Sequence, residues 1–173
     1  MNKKTALIAL ILLIFAQLCA PAYMIANKYY TLKNGVEIKF SVRPVDPYDP
    51  FRGRYVSIRP EVFRENSINR NRQYGIIEID EDGYAGVTDT QDEKPAEGVL
   101  FVKSKSRSYF SIPIDRYYMD EKLAPKAERA TFGSNLEDEI YVTARILNGN
   151  LVVSGLYIND IPIEEYIKTS DDY

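Results

Sequence analysis

The chain is 173 residues long, 45% hydrophobic and 27% charged, with a formal net charge of −3; this balance excludes a disordered tail and a polytopic membrane protein, and sets one domain as the expectation. Setting aside Lys3 and Lys4 from the 22 Lys and Arg leaves 20 against 25 Asp and Glu, a net −5 that argues against nucleic acid and anionic lipid surfaces as partners. There is no His, so His-based triads, proton shuttles and zinc sites are ruled out.

From Thr5 to Ala26 the run TALIALILLIFAQLCAPAYMIA carries no charge and a single amide. At about 1.5 Å per residue it crosses a hydrocarbon core of roughly 30 Å. Lys3 and Lys4 hold the N-terminus on the cytoplasmic side, which puts everything after Ala26 outside the cytoplasm. Residues 1–27 are therefore expected to be a membrane anchor, residues 28–166 an exported domain and residues 167–173 a flexible tail. Ala20, Pro21 and Ala22 also fit the A-x-A pattern of a cleavable signal peptide. Retention is the preferred reading, because the apolar run continues through Tyr23, Met24, Ile25 and Ala26 to full spanning length. Cys19, the one cysteine, follows Leu18 rather than the small residue that lipid attachment wants, and reads as an inert thiol. The exported part then has no disulfide and must be held by a hydrophobic core.

Past the anchor the dominant period is two. Val36, Ile38, Phe40 and Val42 alternate with Glu37, Lys39 and Ser41, the pattern of a half-buried strand. YYTLK before it, joined through Asn34 and Gly35, makes Tyr29 to Val42 read as a hairpin with a type I′ turn. A second hairpin is predicted from EIYVTARIL, the turn residues Asn148, Gly149 and Asn150, and LVVSGLYI. Between them RYVSI, YGIIEI, GVLFVKS and SYFSIPI are shorter strand candidates. DRYYMDEKLAPKAERA predicts one short helix, with a turn or two on each side of Pro125. The polar connection from Pro60 to Gln73 reads as a mobile surface loop, and the end of the chain after Glu164 as frayed. The fold class expected is mainly β: a compact β-sandwich or barrel-like exported domain with one short helix, preceded by a single N-terminal transmembrane helix.

The segment RPVDPYDPFRGRYVSIRP, residues 43 to 60, is the least ordinary part of the chain. Pro44, Pro47, Pro50 and Pro60 fix φ and restrict the residues before them, so the segment is stiff and extended before Gly53 allows a turn. Asp46 and Asp49 each precede a proline, while Arg52 and Arg54 flank Gly53 and Tyr55 follows. These carboxylates and guanidinium groups are expected to lock the loop against the end of the domain, with a ligand or partner site as the alternative.

PVDPYDPFRGRYVSIRP resembles the signature of the GDYXXLXY family of bacterial membrane-anchored proteins, whose members carry a Pro-Val-Asp-Pro run leading into Arg-Gly-Asp-Tyr. The apolar N-terminus, TLKNGVEIKF, IDRYYMDEKLAPKAERA and the final hairpin ending LYINDIPI follow in the expected order, so the resemblance spans nearly the whole chain. Gly53 and Tyr55 of the naming motif are kept. The expected Asp is Arg54, the Leu is Ile58 and the last Tyr is Pro60, so an acid at position 54 is not essential here. The resemblance implies an exported β-rich domain on one transmembrane helix in the cytoplasmic membrane. Members are often encoded beside a polytopic membrane protein, which implies an envelope assembly with such a partner. It brings no enzymatic activity and no cofactor, so a non-enzymatic accessory or interaction module is the expected role.

Two sharper chemistries are legible. Glu78, Asp80, Asp82, Gly83 and Asp89 fall at the first, third, fifth, sixth and twelfth places of an EF-hand loop. The preceding YGIIEI reads as a strand rather than a helix, however, and Asp82 with Gly83 is also an ordinary hairpin turn, so Glu78 to Asp89 is expected to be strand, turn and strand. A membrane-anchored Ser/Lys hydrolase needs a serine and a desolvated lysine; Ser41 with Lys103 or Lys105 are the candidates, without a nucleophile motif to support them. There are 14 Tyr and no Trp. Tyr29 and Tyr30 suit a membrane interface, and Tyr109, Tyr117, Tyr118, Tyr141 and Tyr157 read as cross-strand packing, with a sugar-binding or protein-binding face as the alternative.

Overall fold

A computed structural model describes residues 3–44, 55–63, 72–120, 122–132 and 138–169. The uncharged run forms the body of helix α1, Lys3–Asn34, 32 residues long and long and apolar enough to cross a membrane. This helix corrects the first hairpin: Tyr29 to Asn34 is not a strand but its last turns. An apolar span of this length supplies the helix nucleus, so each further residue costs only propagation. The added turns also gain tertiary contact, since Thr31 is buried and its Oγ1 donates to the Asn27 carbonyl at 3.0 Å. The Gly35 N–H closes the helix on the Thr31 carbonyl at 2.8 Å. Strand β1, Val36–Pro44, starts at the next residue.

The alternation read for β1 is present, with Ile38, Phe40 and Val42 buried. Its main partner is β7, Ile140–Leu147, registered from Val36 opposite Ile146 to Ser41 opposite Tyr141. β8, Asn150–Ile158, returns from β7 as the predicted second hairpin. Its turn residues Asn148 and Gly149 have φ of 51° and 80°, the pair of positive values a type I′ turn requires. β2 (Tyr55–Pro60), β6 (Arg116–Tyr118) and β9 (Ile161–Pro162) complete a six-stranded sheet of order β6-β2-β1-β7-β8-β9. A second sheet has β3 (Tyr74–Ile79) between β4 (Ala85–Gln91) and β5 (Phe101–Lys103). Single parallel bridges, Lys39 to Tyr84 and Val102 to Gly149, join the two. The core lies between them: Phe40, Val142, Ala144 and Leu156 from the large sheet meet Ile77, Val87 and Val102 from the small one. The fold is mainly β, as expected.

Other elements differ from expectation. SYFSIPI is not a strand. Its alternate residues Phe110, Ile112 and Ile114 are buried, so the period of two is real, but the segment drops side chains into the core without joining a ladder. The single helix around Pro125 is also corrected. Arg116–Tyr118 pairs with β2 as β6, and only α2, Ala124–Phe132, is helical. Pro125 sits in its first turn, where a missing N–H costs nothing. A second short helix, α3 (Ile163–Thr169), buries Ile163 and Ile167. The tail expected from residue 167 therefore begins as packed helix. Residues 64–71 of the polar connection lie outside the described residues.

Candidate functional site: a tyrosine and carboxylate face

The edge of β1 that faces away from the core carries Glu37, Lys39 and Ser41, and the register sets Arg145, Thr143 and Tyr141 of β7 opposite them. Arg145 pairs with Glu37 at 2.6 Å. Further along, Tyr141 lies opposite Tyr157 of β8, and the rings stack with centroids 5.0 Å apart and planes 6° from parallel. A register shift at Thr143/Ala144 makes that pair. Counted from the Asn148–Gly149 turn without it, Tyr141 would meet Leu156. Gly155 leaves the room needed, since a Cβ there would come within 2.6 Å of the Tyr157 ring. Tyr84, in the turn before β4, meets the Tyr141 ring edge-on at 5.9 Å and 88°. The Lys39 ammonium stands 4.7 Å from the centre of the Tyr141 ring and 3.9 Å from Asp160, the geometry of a cation–π contact backed by a carboxylate.

Each of three tyrosine hydroxyls donates to a carboxylate: Tyr84 to Glu139 and Tyr141 to Asp160, both at 2.5 Å, and Tyr117 to Glu164 at 2.7 Å. Burial, then these bonds, then the negative charge of the partners push all three hydroxyls well above the usual tyrosine range. They stay protonated at neutral pH and act here as hydrogen-bond donors. Their work is to fix carboxylates in place. The β8–β9 turn that carries Asp160 is held as well: the Glu139 N–H donates to the Asn159 side chain and the Asn159 N–H to the Glu139 carbonyl, both at 2.9 Å. The result is a buried Tyr141 ring flanked by the half-buried Tyr84 and Tyr157, with the exposed carboxylates of Glu139 and Asp160 held in fixed orientation at its rim.

Of the signature residues, Asp46, Asp49, Arg52, Gly53 and Arg54 lie outside the described residues, and Tyr55 opens β2 with its backbone registered on Tyr118. The strands that bracket the segment are described. Val42, Arg43 and Pro44 pair with Pro60, Arg59 and Ile58, and Arg43 forms an ion pair with Glu61. The segment is thus rooted at the end of β1 opposite Gly35, about 30 Å away along the strand at roughly 3.3 Å per residue. Ser41, the register partner of Tyr141, lies toward this same end. Tyr118 is exposed there.

The Glu78 to Asp89 stretch is strand, turn and strand. The Asp80 carboxylate accepts the N–H groups of Asp82 at 3.1 Å and Tyr84 at 2.7 Å, so it organises the turn. Among the described residues no group of three His, Cys, Asp or Glu is placed to hold a metal ion. Ser41 and the two lysines are not brought together. Lys103 bonds through its N–H to the Gly149 carbonyl at the tip of the β7–β8 hairpin. Val36, at the helix-side end of β1, pairs beside that tip, and Ser41 lies about 16 Å along the strand from Val36 at roughly 3.3 Å per residue. Lys105 is paired with Asp115 at 2.8 Å.

The sequence reading found Tyr117, Tyr141 and Tyr157 but missed Glu139, Asp160 and Glu164. Those acids lie at turns and a helix start, where single carboxylates carry no periodic signal.

A family model described as GDYXXLXY protein matches residues 17–156. Comparisons with curated proteins and with solved structures give no match.

Proposed function

The chain belongs to the GDYXXLXY family, and we propose that it works as a single-pass, membrane-anchored envelope protein whose extracytoplasmic domain presents its far end to a membrane protein partner. The observation that carries this reading is the continuity of α1 with β1: Gly35 alone separates the last helical residue, Asn34, from Val36. With Thr31 buried against the sheet, the span and the domain form one body without a linker. Such a body holds a surface at a set height above a membrane. The surface at that height is the root of the signature segment together with the tyrosine and carboxylate face, and Lys3 and Lys4 at the other end favour an outward orientation.

Photocrosslinking in intact membranes tests the proposal. A photoreactive residue at Tyr118 or Ile161, exposed positions at the far end, should give an adduct with one defined membrane protein, and the same probe at Val99, beside the hairpin tip, should not. No adduct from either far-end position, or equal adducts from all three, would contradict it.

A further inference from the structure

We propose that the end of the domain nearest α1 binds the phosphate of an acidic phospholipid headgroup; this deepens, and rests on, the reading of α1 as a membrane span. A groove of about 310 Å³ separates the last turns of the helix from the domain. Met24 and Lys28 line it from the helix, Lys103 from the end of β5 and Lys105 from the loop after it, and Leu151 and Val152 from the β7–β8 hairpin. No acidic side chain lines it. Among the described residues Lys28 and Lys103 have no ion-pair partner, and Lys105 has Asp115.

The groove lies at a definite depth. Lys28 follows Ala26, the end of the uncharged run, by about 3 Å along the helix axis. A run of about 20 residues fills the hydrocarbon core, so the Lys28 ammonium stands at the level of the lipid phosphates. Tyr23, Tyr29 and Tyr30 are exposed on the same stretch, where interfacial rings sit. Thr31, one turn on, is already under the sheet. The domain therefore has no room to stand clear of the headgroups.

The domain side is built, not merely charged. The Ser104 hydroxyl oxygen accepts the N–H groups of Ser106 at 3.3 Å and Ser111 at 3.1 Å, and lies 2.7 Å from the Ser106 carbonyl to which it donates. This closes a loop carrying Lys103, Lys105 and Arg107 without an acid in the run KSKSRSY, and leaves Tyr109 59% exposed. The net negative charge of the exported part, which argued against anionic lipid, does not govern this end. Lys105 is balanced by Asp115, so Lys28 and Lys103 carry the positive charge of the groove, and acids more than a screening length away, about 8 Å in physiological salt, do not cancel it. A phospholipid is the occupant that offers a phosphate and an acyl chain together at this depth, matching the lysines and the apolar Leu151 and Val152.

Native mass spectrometry of the full chain, released from detergent micelles doped with phosphatidylglycerol or phosphatidylcholine, reads this directly. The parent should retain phosphatidylglycerol in preference to phosphatidylcholine. The double variant Lys28→Gln, Lys103→Gln should lose about tenfold or more of that retention, each basic residue near an anionic surface contributing roughly fivefold. The charge-matched control Lys122→Gln, Lys126→Gln, altered before and within α2, should retain it. Equal retention by both double variants, or no preference between the two lipids, would overturn the proposal. So would full displacement by millimolar inorganic phosphate, which would make this a free-phosphate site. A dimer formed without lipid and lost in the Lys28, Lys103 variant would give the groove to a second copy and overturn it too. A chain that stays dispersed without detergent contradicts the anchor reading itself, whereas a detergent-dependent chain that shows no lipid preference contradicts only the headgroup site.

Discussion

A methyl group at Gly35 would sit 2.6 Å from the Thr31 carbonyl oxygen and 3.0 Å from that of Ile146. Both are backbone atoms, one on the helix and one on β7, so neither can rotate aside. Gly35→Ala is expected to cost roughly 1–3 kcal/mol of stability, the usual range for overpacking, read as a lowered Tm. Gly83→Ala, where a Cβ meets nothing but φ is +85°, should cost only about 1 kcal/mol. Equal melting of Gly35→Ala and the parent would mean that helix and sheet are not in close contact. The clamped tyrosines make a second statement at this scale. Their folded pKa lies above the unfolded value of about 10, so above that pH the unfolded chain releases protons that the native state keeps. Stability should be complete below pH 10 and fall as pH rises beyond it. Tyr141→Phe should lose about 1 kcal/mol at neutral pH for the missing bond to Asp160 and should show a shallower alkaline decline. A decline as steep as the parent's, followed by chemical denaturation at several pH values, would contradict the clamp.

At the scale of elements, what the sequence made legible was the local pattern, and what it hid was the partner of each pattern. The β7–β8 hairpin was plain, because Asn148–Gly149 is a turn signal with a backbone cause and both flanks are β-rich. YYTLK looked equally like a strand before an Asn-Gly turn. It became helix because it follows an apolar span that propagates into it and because Thr31 finds a buried place. The same Asn-Gly dipeptide thus ends a helix at residues 34–35 and turns a hairpin at 148–149. SYFSIPI has a strand's alternation and buries the right residues, yet it joins neither sheet. The sequence after Glu164 reads as frayed, because Ile163 and Ile167 are spaced one turn apart in a short, acidic segment too brief for periodicity to speak, whereas α3 packs there. Ile167→Ala tests that element: in a packed helix it should cost about 2–4 kcal/mol, whereas in a frayed tail Tm would not move.

For the whole molecule, fold class and the long apolar helix followed from alternation and an uncharged run, features that a single chain displays without its neighbours. The candidate site did not. It is assembled from Lys39, Tyr84, Glu139, Tyr141, Tyr157 and Asp160, residues far apart in sequence whose meeting depends on one register shift and on a turn of the other sheet. The two ends of the domain are chemically different as a consequence: lysines and apolar side chains by the helix, aromatic rings and carboxylates beyond β1. The proposed function requires the far end to look away from the membrane on the outer side. The most direct test is cysteine accessibility in intact cells. In a Cys19→Ser background, Tyr118→Cys at the far end should react with a membrane-impermeant maleimide to the same extent before and after permeabilisation. Labelling that appears only after permeabilisation would place the domain on the cytoplasmic side and contradict the account.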